Sequence, residues 1–207
     1  MPGPAKPLNI LAPQVEAERQ RSRANFEAGA TAKVTLRALC ELADNTIRQI
    51  FGDVMKVHEA PNEGLVLLAL GGYGRRMLFP FSDLDILFLF ENEKTEAEFR
   101  PFISEFSRTM WDLGFRVSSA GRTLDECKHI EEDNAEFHLA LIDRRFLSGD
   151  KELFDKLDKR VLPPSERQAR SFLFSQLHRL TKERLARYGD DRGRICVPFR
   201  LLAREVK

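Results

Sequence analysis

Apolar positions along this chain fall into two kinds of pattern, and each predicts a different element. From Ala32 to Phe51, the residues Val34, Leu36, Leu39, Leu42, Ile47 and Ile50 recur at roughly helical spacing. Glu96–Leu113 does the same, with Phe99, Phe102, Ile103, Phe106, Met110 and Leu113 along one side; Gly114 then ends the helix. Leu65-Val66-Leu67-Leu68-Ala69-Leu70 is different: a short unbroken apolar run between glycines. Its length predicts a strand buried on both faces. Asp83–Phe90 reads as a second such strand, apolar except for its acids, and Phe115–Ala120 as a third.

Weaker patterns fill the intervals. Residues 1–13 contain four prolines and predict no regular structure. Gln14–Ala28 is charged, with sparse apolar residues, and predicts a solvated helix ending near Gly29. Gly71–Gly74 reads as a turn and Arg75–Leu78 as a short helix closed by Pro80. Thr123 and Glu126 have the spacing of a capping box and open a helix toward His129. Ala135–Leu147 reads as a helix, Ser148-Gly149-Asp150 as a break, and Lys151–Leu157 as a short helix stopped by Pro163-Pro164. Ser165 with Gln168 opens a charged helix that runs to about Tyr188. No internal repeat is present. The expected fold class is α+β: a strand–turn–strand–helix–strand core flanked by N- and C-terminal helices. Residues 1–30 form a disordered or loosely helical N-terminus, 31–150 the core with its leading helix, 151–190 a helical extension, and 191–207 an atypical tail.

Composition narrows the function classes. The chain has 207 residues, 43% hydrophobic and 31% charged, ordinary values for a soluble globular protein. Its 33 basic and 32 acidic residues leave a net charge of +1, which makes no electrostatic case for nucleic acid. No apolar run approaches the roughly 20 residues of a membrane span, and the proline-rich start lacks a signal-peptide core. Cys40, Cys127 and Cys196 are scattered and form no CxxC pair, which fits a reducing cytoplasm rather than zinc or disulfides. His129, His138 and Cys127 have neither ligand spacing nor an activating neighbour. The basic residues Arg179, Lys182, Arg184 and Arg187 read as a solvated helix face.

The chemistry concentrates in Leu70-Gly71-Gly72-Tyr73-Gly74-Arg75 and the Ser82-Asp83-Leu84-Asp85 that follows. Period two along a strand sends Asp83 and Asp85 to one face. Two such acids repel each other, and a divalent cation relieves that repulsion; carboxylate oxygens are the ligands Mg²⁺ prefers. Glycines at 71 and 72 let backbone N–H groups approach phosphates closely, and the Ser82 hydroxyl supplies a further donor; the Arg75 guanidinium is either another phosphate donor or a solvated or structural arginine. The expected ligand is a metal-bound nucleoside triphosphate. A Rossmann GxGxxG fails because Met77 stands where its last glycine belongs, and no GxxxxGK[ST] occurs. The structural alternative is a plain tight turn between two core strands.

Gly71-Gly72, with Asp83-Leu84-Asp85 starting eleven residues after Gly72, resembles the signature of the DNA polymerase β-like nucleotidyltransferases. The longer string through Pro80-Phe81-Ser82-Asp83-Leu84-Asp85 is similar to the bacterial PII uridylyltransferase/uridylyl-removing family. So are Trp111-Asp112-Leu113-Gly114, Arg122-Thr123-Leu124-Asp125-Glu126-Cys127 and Arg145-Phe146-Leu147-Ser148-Gly149-Asp150. The resemblance covers about residues 35–190. It implies Mg²⁺-dependent transfer of UMP from UTP to a tyrosine hydroxyl of the PII nitrogen-regulatory protein, with release of pyrophosphate. It assigns metal binding to Asp83 and Asp85, and phosphate binding to Gly71, Gly72 and Ser82; Arg75 matches a position beside that turn. The motif does not read the base, so ATP and transfer of AMP to a protein remain open, as does a non-catalytic domain that binds nucleotide or PII.

The chain also departs from that family. Members of the nucleotidyltransferase superfamily commonly use a third carboxylate on a neighbouring strand, and the uridylyltransferase family has a Glu-Val-Gly-His stretch where this chain has Arg116-Val117-Ser118-Ser119. The predicted third strand contains no acid. Asp125, Glu126 and Asp133 are the nearest substitutes, each more simply a surface or cap acid. None of the four histidines precedes an aspartate, so the family's HD domain for uridylyl removal has no counterpart in this sequence, nor do its ACT domains. Residues 191–207 diverge abruptly, as a truncated or frameshifted end would.

Overall fold

The computed structural model describes residues 5–61, 63–128, 135–161 and 167–188. Their centre is a four-stranded mixed sheet of β1 (Leu65–Ala69), β2 (Leu84–Phe90), β3 (Val117–Thr123) and β4 (Arg145–Gly149), in the order β3-β2-β1-β4. β1 pairs antiparallel with β2 and β4, and β2 pairs parallel with β3. Seven α-helices surround it among the described residues. The expected α+β class is the observed one. No helix among these residues is long and apolar enough to cross a membrane.

The unbroken apolar runs are explained by two cores. Leu65, Leu67 and Ala69 of β1, with Leu84, Ile86, Phe88 and Phe90 of β2, point into one buried cluster. Val66, Leu68 and Leu70, with Leu87 and Leu89, point into the other. Alternate side chains go to opposite faces, so a strand covered on both sides reads as continuously hydrophobic. The first face is covered by α2 (Ala32–Val57) and α4 (Glu93–Asp112). Phe51, Phe99, Phe102 and Phe106 meet there edge to face or stacked, with ring centroids 5.3–6.2 Å apart. The second face is covered by α5 (Ala135–Ile142), α6 (Lys151–Val161) and the single 3₁₀ turn Glu126–Lys128. The Thr123–Glu126 capping box forms: the Thr123 N–H donates to Glu126 at 2.7 Å, and the Glu126 N–H to the Thr123 hydroxyl at 3.3 Å. It opens this 3₁₀ turn; the expected continuation to His129 and the Ser165–Gln168 box reach beyond the described residues.

Several boundaries differ from the expectation. The first helix, α1, runs Ala5–Glu27 and includes Pro13, although residues 1–13 predicted no regular structure. Tertiary contact explains this: Leu11 and Val15 are buried in the first core, and Arg19 stacks on Phe115 and donates to the Gly114 carbonyl at 3.0 Å. The second helix continues six residues past Phe51, because Val54 and Met55 also enter the core. Gly71–Gly74 is itself a helical turn, α3, rather than Arg75–Leu78. The expected helix over Ala135–Leu147 stops at Ile142, and Arg145–Gly149 becomes the fourth strand. β1 offers an unpaired edge there, and pairing with it outweighs local helix preference. Gly149 adopts φ 101°, and a Cβ at this position would collide with the Leu65 carbonyl oxygen. Beyond α6, α7 (Arg167–Tyr188) packs against α5.

One buried carboxylate ties the helices to the sheet. Asp44 of α2 is 2% exposed. It accepts the Tyr73 hydroxyl of α3 at 2.7 Å and both terminal nitrogens of Arg145 of β4, at 2.7 and 3.0 Å. Arg145 also donates to the Tyr73 and Gly74 carbonyls, both at 3.2 Å, and lies over the Tyr73 ring. Burial and then the Asp44 charge push the Tyr73 hydroxyl pKa upward, which keeps it a donor. Burial opposes the charge on Arg145, but Asp44 outweighs it and holds the guanidinium above its ordinary value. Removing one member of a buried ion pair leaves the other uncompensated. Asp44→Ala should therefore lower unfolding free energy by about 3 kcal/mol in chemical denaturation; a loss below about 0.5 kcal/mol, the range of ordinary surface substitutions, would show that these contacts are not coupled.

A second acid links the start of β1 to α6. Asp150 accepts the Gly64 N–H at 2.9 Å and caps α6 through the Leu153 N–H at 3.0 Å. Burial alone would raise its pKa, but these N–H groups, that of Glu152 and the Lys156 charge hold it below the usual carboxylate range. Because the folded value is the lower one, this stabilisation is complete above the unfolded pKa and is lost as pH falls through the folded value. Asp150→Ala should cost about 1 kcal/mol near neutrality, and the gap between variant and parent should close in acid.

Candidate functional site

The glycine turn and the acids are brought together by strand pairing. β1 runs into α3, and the Leu70 N–H donates to the Asp85 carbonyl at 2.9 Å, so α3 begins beside the start of β2. Gly71 has φ 51°, a left-handed conformation that favours glycine, and its ideal Cβ position lies 3.7 Å from Asp85 Oδ2. Gly74 serves packing: a Cβ there would run into the Asp143 carbonyl oxygen. The N–H groups of Gly71 and Gly72 belong to the first turn of α3, where helix geometry supplies no intrahelical acceptor.

In front of this turn lies a cavity of about 790 Å³. Gly71, Gly72, Arg75 and Asp85 line it, with Ser118 and Ser119 of β3, Glu136 and Asp143 near α5, and Leu180 and Thr181 of α7. Four of the predicted site residues therefore share one wall. Asp83 stands two residues before Asp85 on the same exposed side of the chain, and Leu84 between them is buried. Partial burial, and next the charge of Asp83, push the Asp85 carboxyl above the usual carboxylate range. Two mutually repelling carboxylates suit one Mg²⁺ whose remaining positions are filled by water and phosphate oxygens.

The other predicted residues are placed differently. Ser82 does not line this cavity; with Arg116 and Phe115 it lines a second one of about 280 Å³. Arg75 faces the large cavity but is ion-paired to Asp143. The neighbouring strand supplies no third acid beside the pair: Ser118 stands opposite Asp85 in the β2–β3 register. Arg116, one residue before β3, ion-pairs Asp83 at 2.9 Å, and its carbonyl accepts the Leu84 N–H at 2.7 Å. Glu126 is engaged by Thr123, and Asp133 is outside the described residues. Among those residues no three His, Cys, Asp or Glu side chains lie close enough to share a metal ion.

Sequence reasoning missed Asp44, Ser118, Ser119, Glu136 and Asp143. Asp44 had a signal, a charge on the stripe that carries Cys40, Ala43 and Ile47. The others are ordinary polar residues until β3 and the α5–β4 connection place them around the cavity.

Residues 17–138 match the nucleotidyltransferase family DUF294. The chain is similar to the bifunctional uridylyltransferase/uridylyl-removing enzymes of Caulobacter vibrioides (strain NA1000 / CB15N), at 36% identity over 163 residues, and Pasteurella multocida (strain Pm70), at 40% over 124. These matches cover 75% and 60% of this chain but 17% and 14% of the relatives, so the chain spans about a sixth of their length. The glycine turn, the acid pair and their strands all lie inside the matched segment, and the chain belongs to the DUF294 nucleotidyltransferase family.

Proposed function

We propose that this chain is the nucleotide-handling unit of a uridylyltransferase, carrying UMP from UTP to a tyrosine hydroxyl of a PII-type regulatory protein in the cytoplasm. The observation that carries the reading is the shared wall of the 790 Å³ cavity, where the glycine turn and Asp85 meet. Gly71 and Gly72 would offer backbone N–H groups to the β- and γ-phosphates, with Arg75 beside them once it leaves Asp143. Asp83 and Asp85 would hold Mg²⁺, which neutralises the phosphates and the departing pyrophosphate. The acceptor oxygen attacks the α-phosphorus, the bond to pyrophosphate breaks, and the hydroxyl proton passes to Asp85 or to water. ATP as donor fits the same wall, because none of these groups reads the base.

A second reading has its own support. The pairing of Asp83 with Arg116, and Ser118 opposite Asp85, favour a domain that binds nucleotide without transferring it. Incubation with Mg²⁺, PII and labelled UTP or ATP separates the two. Under the first reading PII becomes labelled, and Asp83→Asn or Asp85→Asn lowers the rate at least a hundredfold, as loss of a principal charge-stabilising group does. Nucleotide binding by calorimetry with no label on a competent PII would reject transfer and leave the binding domain.

A further inference from the structure

Arg116 has no part in the transfer reading, yet it sits against one of its metal acids. We propose that Arg116 is a built-in counter-ion for Asp83 that weakens divalent-metal binding at the acid pair about tenfold and leaves Asp85 as the principal ligand; this rests on the reading of Asp83 and Asp85 as a metal site.

Backbone pairing places the arginine there. Its carbonyl accepts the Leu84 N–H at 2.7 Å, and Val117 is in register with Leu84, so residue 116 lies beside residue 83 at the open end of the β2–β3 ladder. From that position its Nε reaches Asp83 Oδ1 at 2.9 Å. A Mg²⁺-sized ion bound through the same oxygen, at about 2.1 Å, would lie within about 5 Å of the guanidinium. Repulsion between a single and a double positive charge at that distance, even in water-like surroundings, corresponds to roughly tenfold in affinity. Both side chains are about half exposed, at 56% and 46%. An ion pair this exposed adds little to fold stability and yields readily. The guanidinium therefore competes with the cation without sealing the site.

Titration of Mn²⁺ alone into the full chain, followed by calorimetry, tests this. Arg116→Gln should bind Mn²⁺ about tenfold tighter than the parent and Arg116→Glu tighter still. Arg21→Gln, which removes an equal charge from the exposed Arg21–Glu18 pair of α1, should change nothing. In an Asp83→Asn background the gain from Arg116→Gln should shrink to less than threefold. Thermal melts that match the parent show that the variants are folded. Equal Mn²⁺ affinity in the parent and Arg116→Gln, or an equal gain from Arg21→Gln, overturns the inference and leaves the metal site standing. No Mn²⁺ binding by any of the proteins, Arg116→Glu included, overturns the metal site and the inference together.

Discussion

A charge buried on the inner face of a helix sets the geometry of this protein. Asp44 is held by Tyr73 from the glycine turn and by Arg145 from the edge strand β4. An unpaired carboxylate at that depth is very costly, so each partner is needed where it stands. Arg145 reaches Asp44 only if β4 pairs with β1, and Tyr73 only if α3 folds at the end of β1 beside α2. The same guanidinium satisfies the Tyr73 and Gly74 carbonyls, so the far side of the glycine turn is fixed by the core. Its near side faces the large cavity.

That division explains the different demands on the glycines. Gly74 is small because the Asp143 carbonyl presses against it, and Gly71 is glycine because the backbone turns left-handed beside Asp85. A Gly-rich string thus combines a packing requirement with the open approach a phosphate needs. The acids divide likewise. Asp85 lines the cavity, whereas Asp83, on the same side of the strand, is ion-paired to Arg116. Two residues that look equivalent in a strand motif occupy different electrostatic surroundings.

The legible parts of the sequence were those governed by local periodicity. The phenylalanines of α4 are core residues at helical spacing, and the short unbroken apolar runs of β1 and β2 are core residues of strands covered on both faces. The fourth strand escaped because Phe146 and Leu147 also suit the end of the preceding helix, and the edge of β1 decides between them. The helix expected over Gln14–Ala28 is present, but its extension back to Ala5 escaped because Leu11, Val15 and Arg19 are held against distant residues.

By itself the sequence determined the α+β class, the glycine turn and the acid pair with its family, since each depends on residue type at short, fixed spacing. Only the tertiary structure decided that Arg116 stands against Asp83, that Ser82 turns to a separate pocket, and that Asp143 holds Arg75. Those relations join residues on different strands and loops. Strand register and helix packing set their distances, and spacing along the chain carries no record of either.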